Sequence, residues 1–137
     1  MKQFFIDTTI ATYALGGPHP LRPPCIEVLA AATDARVRLH LSAEAIQEVL
    51  HHRMRRDDRA PALAAARALA ALCHVHDFDS AVLRRSLDLV ATSTIRDRDA
   101  VHAATALEQG FTSIVSADPD FDGIPDLRRI DPRDLEL

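Results

Sequence analysis

A chain of 137 residues is long enough for a sizeable core, and residues 1–137 are expected to form one domain that needs no disulfide or metal staple. Its 16 Lys and Arg against 20 Asp and Glu leave a net charge of -4, which argues against a general electrostatic grip on nucleic acid but permits an acidic site neutralised by divalent cations. No apolar run approaches the roughly 18 residues of a membrane span and the N-terminus is too short for a secretory signal, so a soluble, cytoplasmic chain is expected, with Cys25 and Cys73 as reduced, packed thiols.

The continuously apolar Phe4-Phe5-Ile6 reads as a strand covered on both faces, and it ends abruptly at Asp7. Strands of that kind belong to parallel sheets, whose ligands bind beyond the carboxyl ends, so Asp7 is expected at the functional edge. Thr8 to Ala14 forms a short helix stopped by Gly16-Gly17-Pro18, and Pro23 or Pro24 opens a second helix from Cys25 to about Thr33. No glycine pattern supports a dinucleotide fold or a P-loop.

Arg36 to Leu41 alternates like a strand, with Val37, Leu39 and Leu41 on one face and His40 on the other as a structural histidine. Ser42 is placed to cap a helix from Ala43 to about Arg56, with Glu44 in its first turn. Its stripe is Ala45, Ile46, Val49, Leu50 and Met54; Glu44 points away from that stripe while Glu48 borders it, so Glu48 is the carboxylate placed for an interior edge. His51-His52-Arg53 and the arginines that follow read as a solvated face offset by Asp57-Asp58. Pro61 begins an alanine-rich helix to about Leu72, and His74-Val75-His76 reads as a brief edge strand carrying half a metal site without a third ligand nearby. A helix from Ser80 to about Ser93 has Val82, Leu83, Leu87 and Val90 as its expected buried stripe.

Asp97 is placed as the N-cap of a helix that ends at Gly110, with Ala100, Val101, Ala104 and Leu107 toward the sheet. Asp99 falls in its first turn at the margin of that stripe, facing a cleft, and His102 is expected to be exposed. Ile114-Val115 is a second buried strand, and Asp118 follows its small polar end as Asp7 follows the first. Phe121 packs back onto the domain, Asp122-Gly123 turns, Asp120 and Asp122 are auxiliary candidates, and Leu127 to Ile130 is a final edge strand.

Asp7, Glu48, Asp99 and Asp118 brought together repel one another unless cations sit between them, and an oxygen-only set favours Mg²⁺ or Mn²⁺ over Zn²⁺. Such ions polarise phosphate, activate water and stabilise a leaving oxygen, which is phosphodiester hydrolysis. Alternation of helices with short apolar strands gives an α/β class. A dehalogenase-like phosphatase would need a second carboxylate where this chain has Thr9.

The chain also resembles, over essentially its whole length, the PIN-domain ribonucleases and especially VapC-type toxins of bacterial toxin–antitoxin pairs. The resemblance is carried by Phe4-Phe5-Ile6-Asp7-Thr8-Thr9, by Ser42 to Leu50 around Glu48, by Arg98-Asp99-Ala100-Val101-His102-Ala103-Ala104, and by Ser116-Ala117-Asp118-Pro119-Asp120-Phe121. It implies that Asp7, Glu48, Asp99 and Asp118 are the family's acidic quartet, holding Mg²⁺ or Mn²⁺, and that Thr9, where many members carry Ser or Asn, orients a metal-bound water. It further implies a PIN-like three-layer sandwich with a central parallel sheet flanked by helices, an RNA substrate, a homodimer, and neutralisation by a small antitoxin protein. Asp97, Asp120 and Asp122 are auxiliary positions in that reading, and the alternative is an inactive PIN-like module that only binds RNA or protein.

Overall fold

The computed structural model describes residues 1–137. Strand β1 (Lys2–Phe5) is followed by helices α1 (Thr8–Leu15) and α2 (Arg22–Thr33), then by β2 (Val37–Ser42), α3 (Ala43–Met54) and α4 (Arg59–Leu72). The remainder is β3 (His74–His76), α5 (Ser80–Thr92), α6 (Asp97–Glu108), β4 (Ser113–Val115) and β5 (Arg128–Ile130), with single 3₁₀ turns at Pro119–Phe121 and Pro132–Asp134.

All strand pairs are parallel: β1 lies beside β2, β2 beside β3, and β4 beside β5. An Ile6–Val115 bridge joins the two groups, so the strands run in the order β3-β2-β1-β4-β5. Period-two alternation then sorts the side chains between two cores. Ile6, Leu39, Leu41 and Val115 face α1 to α4, together with Ile10, Val28 and Val49. Phe5 and Ile114 face α5 and α6, together with Val82, Ala100, Ala104 and Phe121. This is the expected α/β sandwich, a central parallel sheet with helices on both faces.

Local signals explain most boundaries. Asp7, Ser42 and Asp79 each accept a backbone N–H at the start of their helices, from Thr9, Ala45 and Val82 respectively. Gly110, at φ 81°, follows the end of α6 in the left-handed region, where a Cβ would be strained. Two starts differ from expectation: α2 begins at Arg22, which puts both prolines in its first turn, and α4 begins at Arg59. Prolines lack only the N–H that a first turn leaves unpaired, so each marks a beginning to within a few residues.

Three expectations are corrected. Helix α5 buries Val82, Ser86 and Leu89, leaving Leu83, Leu87 and Val90 at 45%, 60% and 44% exposure. Two stripes compete on this helix; the one with Ser86 packs on α6, and its hydroxyl can be buried there because it is satisfied by Leu83 O at 2.7 Å. Asp97 is the first helical residue of α6 rather than its cap, since Arg96 occupies the cap position without a side-chain bond. His102 is 1% exposed, because α6 lies between the sheet, α5 and α3 and buries every residue from Ala100 to Ala106. A helix covered on several sides has no solvent face on which to place a histidine.

Candidate active site

The carboxyl ends of β1 and β4 meet where Asp7 N donates to Val115 O at 3.2 Å, which fixes Asp7 at the seam between the two strand groups. Asp7 is 2% exposed. Its Oδ1 accepts from Thr9 N at 3.2 Å and from Thr9 Oγ1 at 2.6 Å, and its Oδ2 accepts from Ser116 Oγ at 2.8 Å. Thr9 Oγ1 in turn accepts from Ala117 N at 3.0 Å, and Ser116 Oγ accepts from Asp118 N at 3.0 Å. The two strand ends are therefore tied together through one carboxylate. Burial pushes the Asp7 carboxyl up to about 6, against the opposing pull of Thr9, His102 and Ser116.

Glu48 projects from α3 into the same region. Its Oε2 accepts from Thr8 Oγ1 at 2.8 Å, and its Oε1 lies 3.1 Å from His102 Nε2. The other ring nitrogen, Nδ1, lies 2.6 Å from Ser42 Oγ, the same oxygen that caps α3. Burial would raise Glu48, but the hydrogen bond and charge of His102, with Thr8 and Arg98, hold it below the usual value. Burial would lower His102, yet Glu48, Asp7 and Asp99 hold it above the ordinary imidazole value. Both shifts favour a Glu48 carboxylate beside an imidazolium that donates from both nitrogens.

Asp99, in the first turn of α6, faces Asp118 and Asp120, and one carboxylate oxygen from each lies within 4.8 Å of the others. Burial raises the Asp99 carboxyl, and Asp118, Glu48 and Asp120 push it the same way against His102. Asp118 also accepts from Asp120 N at 2.9 Å, which shapes the turn that aims both. Asp7, Thr8, Thr9, Glu48, Asp97 and Asp99 line a cleft of about 450 Å³ with Arg96, Arg98, His51 and His52, and none of its walls is hydrophobic.

The expected quartet thus falls into two linked parts. Asp7, Glu48 and Asp99 share the cleft, and Asp99 joins it to Asp118 and Asp120. Asp97 and Thr9 line the cleft too, Thr9 serving as the clamp on Asp7. Asp122 is turned away, bound by Arg129 Nε at 2.9 Å. Glu44 lines a different groove, on the α5 side. The sequence reasoning missed His102, Thr8, Ser42 and Ser116. His102 had a readable signal, since three residues after Asp99 it returns to nearly the same side of the helix.

An acidic cluster with no ion pair to Asp99, Asp118 or Asp120 and with oxygen donors alone fits a hard divalent cation of the Mg²⁺ or Mn²⁺ kind. The imidazoles of His40, His74 and His76 form a separate candidate cluster at the β3 edge of the sheet, where the expectation of no third ligand beside His74 and His76 is corrected: the parallel register supplies His40.

The profile of the PIN domain matches residues 4–127, a stretch that contains the cleft carboxylates. Ribonuclease VapC7 of Mycobacterium tuberculosis is 41% identical over 130 residues, covering 93% of this chain and 90% of the relative. Ribonuclease VapC23 of the same organism is 36% identical over 121 residues, covering 83% and 91%. Among solved structures, DNA-bound VapBC from Salmonella typhimurium superposes with a TM-score of 0.77 at 18% identity, over 96% of this chain and 99% of that one. Sheet order, acidic seam, matched span and degree of identity agree, and the chain belongs to the PIN-domain family, within its VapC-type ribonuclease toxins.

Proposed function

We propose that this protein is a divalent-metal-dependent endoribonuclease and the toxin of a type II toxin–antitoxin pair, acting in the cytoplasm through a single PIN-like domain over residues 1–137 and held inactive by a small antitoxin protein. The observation that carries this reading is the set of Asp99, Asp118 and Asp120 oxygens within 4.8 Å, continuous with a polar cleft containing Asp7 and Glu48. Ribonuclease VapC7 and the VapBC complexes give the reading its biological setting.

Asp7, Glu48, Asp99 and Asp118 are the proposed ligands of Mg²⁺ or Mn²⁺, with Asp120 beside them. When bound, the ion supplies the positive charge and the acidified water that phosphodiester hydrolysis requires. The chain supplies position. Asp7 Oδ1 is used twice by Thr9, so Oδ2, bonded once by Ser116, is the oxygen with capacity left. His102, 3.1 Å from Glu48 Oε1, favours the Glu48 carboxylate and fixes its orientation together with Thr8. Arg96 and Arg98 on the cleft wall offer phosphate contacts beside the carboxylates of a net-negative chain.

The row Phe78, Leu83, Leu87 and Val90 is assigned to a second copy of the chain. Its groove, of about 250 Å³, shares Asp97 and Arg98 with the acidic cleft, so the paired copy would border the RNA path. Replacement of Leu87 by Asp should convert the dimer to monomer in sedimentation. A persistent dimer would place the interface elsewhere.

The test of the activity is digestion of total RNA by antitoxin-free protein. Cleavage should require Mg²⁺ or Mn²⁺, stop with EDTA, and disappear in Asp99→Asn. RNA binding without cleavage under all these conditions would indicate an inactive PIN-like module instead.

A further inference from the structure

His74 and His76 are two residues apart on β3, so both imidazoles leave the same face of the strand. The β2–β3 register sets His40 directly beside His74, and His40 is two residues from Ser42, the partner of His76. Three imidazoles are therefore brought to one sheet face at its edge, and one nitrogen of each lies within 4.8 Å of the others. His40 Nδ1 and His76 Nε2 are 2.9 Å apart, and the His74 and His76 rings stack at 4.3 Å.

The second observation is Gln3. Its Oε1 lies 2.7 Å from His40 Nε2, and a carbonyl oxygen accepts only, so Nε2 carries the proton and the Nδ1 lone pair faces His76. An outer hydrogen bond that selects the ligating nitrogen is what orients histidines at metal centres.

We infer that His40, His74 and His76 form a second metal site, specific for an imidazole-seeking divalent ion of the Zn²⁺ class and distinct from the carboxylate cleft. Nitrogen ligands select Zn²⁺, Ni²⁺ or Cu²⁺ over Mg²⁺ and Mn²⁺, the reverse of the preference of Asp99, Asp118 and Asp120. Three histidines leave the fourth tetrahedral position to water. Tetrahedral Zn–N bonds place ligand nitrogens about 3.3 Å apart, so binding would part His40 and His76 by a few tenths of an ångström and turn the imidazoles, now stacked at interplanar angles of 8° to 20°, until their lone pairs converge. In the metal-free chain the bridging proton sits on His76 Nε2; on binding it moves to His76 Nδ1, leaving the Nε2 lone pair for the ion with no net proton change. A bound ion would clamp β3, a strand of 3 residues, onto β2.

The test is a Zn²⁺ titration of the full chain by calorimetry, in parallel with the absorption spectrum of added Co²⁺ and the melting temperature. In an Asp99→Asn, Asp118→Asn double variant, in which the carboxylate cleft no longer competes for the ion, one Zn²⁺ per chain should bind, Co²⁺ should give intense tetrahedral bands, and Zn²⁺ should raise the melting temperature. In that same background His74→Ala, at an exposed side chain, and His76→Ala should abolish the bands and the thermal shift. Gln3→Ala should weaken Zn²⁺ by roughly 10-fold or more while leaving the stoichiometry unchanged. Zn²⁺ affinity that survives the histidine replacements made in the Asp99 and Asp118 double variant, or that is absent from that double variant with its histidines intact, would overturn the assignment.

Discussion

Replacement of Asp7 by Asn should stabilise the metal-free protein at neutral pH while destroying its activity. Asp7 is fully buried, and its carboxyl is moved from 3.8 to about 6, chiefly by desolvation. A carboxyl with a raised folded-state value binds its proton more tightly folded than unfolded. The resulting stability is present below pH 3.8 and is lost as pH rises through about 6. A shift of about two units corresponds to about 3 kcal/mol of strain once the group is ionised. Asn keeps an oxygen for Thr9 N and Thr9 Oγ1, but its NH₂ replaces the oxygen that accepts from Ser116, which subtracts about 1 kcal/mol. The net expectation is a gain of about 2 kcal/mol at pH 7.5, shrinking to nothing or a small loss at pH 4. Urea unfolding in EDTA across that range measures it, and the same variant should show little stabilisation by Mn²⁺ and no RNA cleavage. An Asp7→Asn variant that is less stable than the parent at pH 7.5, or a difference that does not vary with pH, would refute the idea that Asp7 is a buried charge awaiting a cation.

Glu48→Gln should remove most cleavage while Glu44→Gln leaves it largely intact, because Glu44 lies in the α5 groove; steady-state RNA digestion distinguishes them. Asp118→Asn should leave metal-free stability equal or slightly higher yet shrink the Mn²⁺-induced rise in melting temperature, a comparison that two thermal melts provide. His102→Gln should cost about 2 kcal/mol by loss of a charged hydrogen bond to Glu48. The raised imidazole stabilises fully below 6.5 and less as pH climbs past its folded value, while the lowered Glu48 stabilises above 4.5 and less below it. The His102→Gln deficit, read from urea curves, should therefore be largest between those values and smaller at alkaline pH.

The fold was legible in the sequence wherever a single local rule decided the outcome. Phe5 and Ile6 announce a strand covered on both faces, Ser42 a cap, and Gly110 a helix end, and each is found in that role. The carboxylate positions followed from the same logic, since Asp7 and Asp118 both come where an apolar strand runs out. What stayed hidden depended on which neighbour each face meets. On α5 two stripes satisfy helical periodicity, and only the docking of α6 selects Ser86 and Leu89 over Leu87 and Val90. The same crowding buried His102 against Ser42 and Glu48, partners 60 and 54 residues away in sequence. Asp97 was read as a cap because it is an aspartate before an apolar repeat, and the backbone entered the helix one residue earlier. The His40, His74 and His76 cluster required knowledge of the β2–β3 register, which no pattern within either strand contains.

The most direct test of the account is an end-mapped digest of total cellular RNA by the purified, antitoxin-free chain, with Mg²⁺ or Mn²⁺ and with EDTA, run beside Asp99→Asn. The acidic seam predicts defined internal cuts that need the metal and vanish in the variant. Cuts that persist in EDTA, or that Asp99→Asn makes as well as the parent, would contradict it.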